Sequence, residues 1–223
     1  LRKVFMRALT PRRWSFVAVL SMCAALGTLG ACSDSEFAEP FLADRVVAFG
    51  DESSVILADG RKYTINDFTE GNIDCAKNPI WVQELAGNFA RPFATCAAAG
   101  TNAASISRAE AGATVDGLRQ QVDAQLATGR LGEKDLVTMF VGMNDVMAEY
   151  ARLATEGEPT IAARLADAGR RLGAQVNRVA TAGSPVLIVT LPDLGRTPFA
   201  AAEEAASAGR AALLTRLTRE FNT

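Results

Sequence analysis

Three short runs rich in β-branched and other apolar residues, each cut off by glycine or proline, alternate with longer stretches whose apolar residues recur at intervals of three and four. Few folds accommodate that alternation. The runs are 45–49, stopped by Gly50-Asp51; 135–141, stopped by Gly142; and 185–191, which ends at Pro192. Each has the length and composition of a buried strand. Between them, Val115, Leu118, Val122 and Leu126 predict an amphipathic helix over 111–126. Ile161, Leu165, Leu172, Val176 and Val179 mark a helical region over 146–179, with a break expected around Gly157-Glu-Pro159. An Ala- and Leu-rich helix is expected over 200–221. The stretch 57–78, with Asp59-Gly60 and Glu70-Gly71, predicts a hairpin or long excursion before a helix that starts near Pro79 and carries Ile80, Leu85 and Phe89 on one face. Strands alternating with helices predict a mainly parallel sheet covered on both faces, a three-layer α/β/α domain. No internal repeat interrupts this pattern, and 223 residues suffice for one such domain with a substantial core.

Composition narrows the chemistry. The chain contains no histidine, which excludes an imidazole base, a His-ligated metal and a Ser-His-Asp triad drawn from these residues alone. Five of its 23 basic residues, Arg2, Lys3, Arg7, Arg12 and Arg13, precede residue 32, where no acid occurs. The remainder holds 18 basic against 25 acidic groups, a net of −7. Such a surface repels a phosphate backbone, so nucleic acid is not an expected partner. There is no Gly-x-Gly-x-x-Gly or Walker loop for a nucleotide.

The N-terminus reads as an export signal. A basic region at 7–13 is followed by an apolar stretch, 14–29, and then by Leu29-Gly30-Ala31-Cys32 with Ser-Asp-Ser after it. The apolar run is shorter than the roughly 20 residues a spanning helix needs, which weighs against the alternative of a permanent transmembrane helix. The Leu-Gly-Ala-Cys tetrad resembles the lipobox of bacterial lipoproteins. That resemblance implies a signal peptide over 1–31, a lipid on Cys32, a polar tether over 32–44 and, with Ser33 next to the cysteine, delivery to the outer membrane. With Cys23 removed and Cys32 acylated, Cys75 and Cys96 remain as a pair in an oxidising compartment. A disulfide is the simple expectation, two separate buried thiols the other reading, and a metal site from two cysteines is remote.

In an open parallel sheet the ligand crevice lies beyond the carboxyl ends of the strands. Four segments stand where such ends are predicted: Gly50-Asp51-Glu52-Ser53-Ser54, the turn Gly100-Thr-Asn102, Gly142-Met-Asn144-Asp145, and Leu191-Pro-Asp-Leu-Gly195-Arg-Thr-Pro198. Singly, a Gly-Asp pair is an ordinary turn and an Asn-Asp pair an ordinary helix cap. In this order and at these separations they resemble the blocks of the SGNH/GDSL hydrolase family of serine esterases and lipases. The resemblance covers most of 45–223. It implies a flavodoxin-like α/β/α fold, acyl transfer to water, a small-molecule or lipid ester as substrate, and no metal or organic cofactor.

The family pattern also assigns roles. Gly100 falls where the glycine of the oxyanion hole is expected, and Asn144 would supply a side-chain amide to the same oxygen. Asp145 reads as a support for the loop or for a helix N-terminus rather than a reacting group, and Asp51 as part of the nucleophile turn. Two features depart from the pattern. Glu52 occupies the nucleophile position directly after Gly-Asp, which leaves Ser53 as the candidate nucleophile if the loop is shifted by one. The family's terminal Asp-x-x-His block has no counterpart before Thr223, so the resemblance implies that the domain's C-terminal part is missing from this chain. Two functions remain open on this reading. One is an envelope-anchored ester hydrolase using Ser53; the other is a catalytically inactive lipoprotein of the same fold that binds an acyl or carbohydrate ligand.

Overall fold

The run expected to form the first strand does so as β1 (Arg45–Gly50). A 3₁₀ turn (Glu52–Ser54) and a long excursion follow, the latter carrying a two-strand hairpin, β2 (Phe68–Thr69) and β3 (Asn72–Ile73), with Glu70-Gly71 at its turn. The chain continues through α1 (Trp81–Asn88), β4 (Ile106–Ser107), α2 (Val115–Thr128) and β5 (Asp135–Phe140). Then come α3 (Met143–Tyr150), α4 (Leu153–Glu156), α5 (Glu158–Thr181), β6 (Val186–Ile188), α6 (Pro198–Ala206) and α7 (Arg210–Asn222). These elements come from a computed structural model that describes residues 39–223. The expected signal peptide, Cys32 and most of the tether lie outside the described residues.

All four core strands run parallel in the order β4-β1-β5-β6, with Val47 level with both Ile106 and Val137, and Val137 level with Val186. Numbered as core strands in chain order, this is 2-1-3-4, the flavodoxin-like order in which the chain switches direction between β1 and β5. Side chains alternate across β1, and both sets are fully buried. Val47 and Phe49, with Val137 and Met139, pack beneath Leu118 and Val122 of α2, Ile161 and Leu165 of α5, and Leu214 and Leu217 of α7. Val46 and Ala48 face the other way, against Val82 and Ala86 of α1 and against Phe93. The sheet is thus covered on both sides, and the segment from Leu42 to Thr223 makes one compact unit with an α/β/α layering.

Three expectations need correction. The single helix expected over 200–221 is two helices, because Ser207 leaves helical dihedrals (φ −156°, ψ 115°) and Gly209, at φ 88°, stands just before the second. Thr197 caps the first of these, accepting the Ala200 N–H at 3.2 Å, with Pro198 in the first turn. The strand expected over 185–191 is regular only at 186–188. β4, the two-residue strand Ile106–Ser107 set between Ser105 and Arg108, has no apolar run to announce it. The break near Gly157 stands, with φ 73° at that residue. Cys75 and Cys96 are joined as a disulfide, their Cα atoms 5.1 Å apart, which ties the excursion after β1 to the segment before β4. No helix among the described residues is long and apolar enough to cross a membrane.

Candidate active site

The crevice at the β1/β5 switch point is built by three loops. After β1, Gly50 is held on its backbone by Gln121 of α2, whose Oε1 accepts the Gly50 N–H and whose Nε2 donates to the Gly50 carbonyl, both at 2.9 Å. The next residue, Asp51, is fully buried. Its N–H donates to the Phe140 carbonyl at 3.1 Å, and its Oδ1 accepts the Ser53 N–H at 3.0 Å, which starts the 3₁₀ turn. Burial raises the Asp51 pKa, while the backbone and hydroxyl of Ser53 pull the other way. Among the described residues its Oδ2 has no hydrogen-bond partner.

The turn projects Glu52 across the crevice. Glu52 Oε2 accepts the Gly112 N–H at 2.9 Å, from the loop after β4, and the Asn144 Nδ2 at 3.1 Å, from the loop after β5. Asn144 Nδ2 also donates to the Ala113 carbonyl at 3.2 Å, which fixes the amide's orientation. Burial opposes ionisation of Glu52, but the Gly112 N–H and the Asn144 amide, with the residue's own N–H, outweigh it and hold the pKa below the ordinary glutamate value. Two N–H donors therefore converge on one carboxylate oxygen at the distances that stabilise an oxyanion.

Of the residues singled out in the sequence, Asp51, Glu52, Ser53, Asn144 and Asp145 meet here. Gly100 does not. It sits in an exposed turn closed by the Thr101 N–H to the Ala98 carbonyl, and it contributes nothing to the pair around Glu52. The glycine whose N–H reaches the crevice is Gly112, at φ 77° just before α2. Ser53 lies against Asp51, not the donor pair. The Leu191-to-Pro198 segment is a packing device: Asn222 of α7 accepts the Leu191 N–H and donates to its carbonyl, and Asp193 Oδ1 accepts both the Gly195 N–H and the Thr215 hydroxyl. Among the described residues there is no cluster of His, Cys, Asp and Glu suited to a metal ion.

A family model described as GDSL-like Lipase/Acylhydrolase matches residues 46–223. The chain belongs to this family. No curated protein matches the chain. Among solved structures, a protein from Parabacteroides merdae described as a GDSL-like lipase is similar over 82% of this chain and 77% of its own, at 18% identity and a TM-score of 0.37. Membership of the GDSL-like family supports an esterase- or lipase-type hydrolase and a small-molecule ester as the substrate class. Within that frame, this GDSL-like chain keeps a convergent donor pair and places a carboxylate, not a hydroxyl, against it.

Asp145 supports the same crevice from below. Both of its oxygens lie within 3.3 Å of the Val115 N–H, so it caps α2 and thereby sets the position of the Gly112 loop. Burial pushes its pKa up to about 6 from 3.8, with the Val115 N–H working against the rise. The folded state thus holds a proton that the unfolded chain releases between those two values. Stability is expected to fall as pH rises from about 4 to 6, then to level off. After allowance for partial exposure, the loss is about 1 to 2 kcal/mol. Urea midpoints measured at pH 4.5 and 7 check it: Asp145→Asn should remove the decline over that interval, and an unchanged decline in the variant would assign it elsewhere.

Proposed function

We propose that this chain is an envelope-anchored member of the family that binds an acyl or carbohydrate ligand beside Glu52, which itself occupies the Gly112/Asn144 pair, without serine-type turnover. One observation carries the reading. The oxygen site that an ester's carbonyl would need is filled by Glu52, the residue that also stands in the nucleophile's place. A carboxylate held on these donors with a lowered pKa is a poor nucleophile and excludes the substrate's carbonyl oxygen from the one place where charge development would be stabilised. The anchor rests on the basic region, the apolar stretch and Leu29-Gly30-Ala31-Cys32, and loss of palmitate labelling in Cys32→Ser would support it.

A second reading, a serine esterase using Ser53, is favoured by the match to the family over 46–223 and by the presence of both donors. Hydrolysis of p-nitrophenyl acetate and butyrate separates the two. We expect turnover at the buffer rate in the wild type and in Ser53→Ala. We also expect Glu52→Ala to bind butyrate about ten-fold more tightly than the wild type, because two donors to a charged oxygen become free. Turnover abolished only by Ser53→Ala would overturn the proposal in favour of the esterase.

A further inference from the structure

Ile65, Tyr63 and Phe68 are the three most exposed large apolar side chains among the described residues, at 77%, 73% and 63%, and they follow closely on one another in the excursion after β1. Leu42, at 62%, is the next, and it stands where the chain enters the domain. Apolar side chains scattered singly need no explanation, but a group of them marks a contact surface. The two places are joined along the β4 edge of the sheet. Asp44 pairs with Arg91 at 3.7 Å, and the Arg91 carbonyl accepts the Ser105 hydroxyl just before β4. Cys96, in the same segment as Arg91, is bonded to Cys75 at the base of the excursion.

Little is lost when this surface leaves water, because the polar groups of the excursion are already paired within it. Its charged residues over 57–78 are three basic and four acidic, a net of −1, against −7 for the chain from Cys32 onward. Arg61 is on Asp59 at 2.7 Å, and Lys77 lies 3.3 Å from Asp67 and 3.6 Å from Asp74. Lys62 Nζ donates to the carbonyls of Cys75, Lys77 and Asn78. That leaves Glu70, at the hairpin turn. The backbone is treated alike: the Asn78 amide donates to the Ile65 carbonyl at 3.1 Å, and the Asn66 amide to those of Lys62 and Thr64. A surface with its charges neutralised and its carbonyls occupied meets hydrocarbon at low cost, whereas an ionic partner would find few unpaired charges to read.

We propose that the face carrying Tyr63, Ile65 and Phe68 lies against the surface of the zwitterionic bilayer to which the chain is tethered. The inference rests on the envelope-anchored reading above, and it assigns a partner to a surface which that reading leaves unused. Twelve residues separate Cys32 from Asp44. At roughly 3.3–3.6 Å each they reach about 40 Å at most. A lipid on Cys32 therefore keeps the domain close to the bilayer, where a few apolar side chains suffice to orient it. Tyr63 suits such a boundary, because its ring is apolar and its hydroxyl stays hydrated.

Photocrosslinking of the full chain on phosphatidylcholine vesicles that contain a diazirine-bearing phosphatidylcholine tests this, with the adducts mapped by peptide mass. Adducts are expected on 61–73 and on the chain before Asp44, and few on α5 or α7. Ile65→Ser with Phe68→Ser should lower the yield on the excursion about ten-fold and leave the N-terminal yield unchanged, while Phe68→Leu should keep both. Replacing about a third of the lipid by phosphatidylglycerol should not raise the yield, since the face carries no net positive charge. Adducts spread evenly over the domain, or a yield on 61–73 that the two serines leave unchanged, would overturn the proposal. So would an unlabelled excursion in a chain that sediments as a dimer and becomes a monomer with Phe68→Ser, which would give the face to a second copy. Failure of the anchored reading looks different: retention on vesicles would not depend on Cys32, and in excess lipid the adducts on 61–73 would still form.

Discussion

Gly50→Ala is expected to destabilise the protein by about 3 kcal/mol or more, a large part of the 5–15 kcal/mol that holds a domain of this kind together. Gly50 ends β1 with φ 147°, and a Cβ added there would stand 2.1 Å from the Phe140 carbonyl oxygen. The obstruction is backbone in the neighbouring strand, so no rotamer change relieves it. That same carbonyl accepts the Asp51 N–H, and Gln121 clamps Gly50 from α2. Making room for one methyl group would therefore part the end of the β1/β5 ladder and displace the turn that presents Glu52. Gly183→Ala separates strain from clash: its φ is 103°, but nothing lies within 4 Å of an added Cβ. Denaturation midpoints should show a loss of about 1 kcal/mol there against the larger one at Gly50. Equal losses would mean that the approach to Phe140 costs nothing.

What could be read ahead of the structure follows from how each feature is encoded. The strands at 45–49 and 135–141 are continuous apolar runs because both faces of a parallel sheet are buried, and Val46, Val47, Ala48 and Phe49 are all inaccessible. The helical faces of α2 and α5 keep a spacing of three and four over several turns. β4 carries no such signal. Its two residues pair with Val47 and Ala48, and although Ile106 packs on the core and the Ser107 hydroxyl donates to the Ser54 carbonyl, two positions are too few to show a period. The loop that leads to the crevice is the one after that strand, so the donor glycine is as hard to place from sequence as β4 itself. Gly112-Ala-Thr114, just before an amphipathic helix, carries the local signal, whereas Gly100 matches the family pattern only in its separation from the other blocks.

The site shows the same division. Asn144 and Asp145 were legible because they follow a strong strand and precede a helix. The capture of Glu52 by Gly112 and Asn144 was not, since it joins positions 60 and 92 residues apart and depends on the loop geometry of all three. Lys62 was invisible for a related reason. A lysine in a turn-rich stretch ordinarily stays in water, and only the structure shows its ammonium replacing water with three carbonyls.

Replacing Cys75 and Cys96 together by serine is expected to cost about 3 kcal/mol, which is the loop-closure entropy returned to the unfolded chain when two residues 21 apart are released. For a domain of this size that is a fall in Tm of roughly 6 to 12 °C. The loss should be felt unevenly. The cluster formed by β1, β5, α2, α5 and α7 contains neither cysteine, whereas the Cys75 carbonyl accepts from both Lys62 Nζ and Gln83. The bridge thus pins the base of the excursion that carries Leu57, Lys62 and Tyr63. Amide exchange in the oxidised protein and the double variant, compared well below Tm, should show lost protection over 56–78 and little change in β1 and β5. If instead all protected amides accelerate together by the amount set by the global loss, the excursion is not a separate unit and opens only with the whole domain.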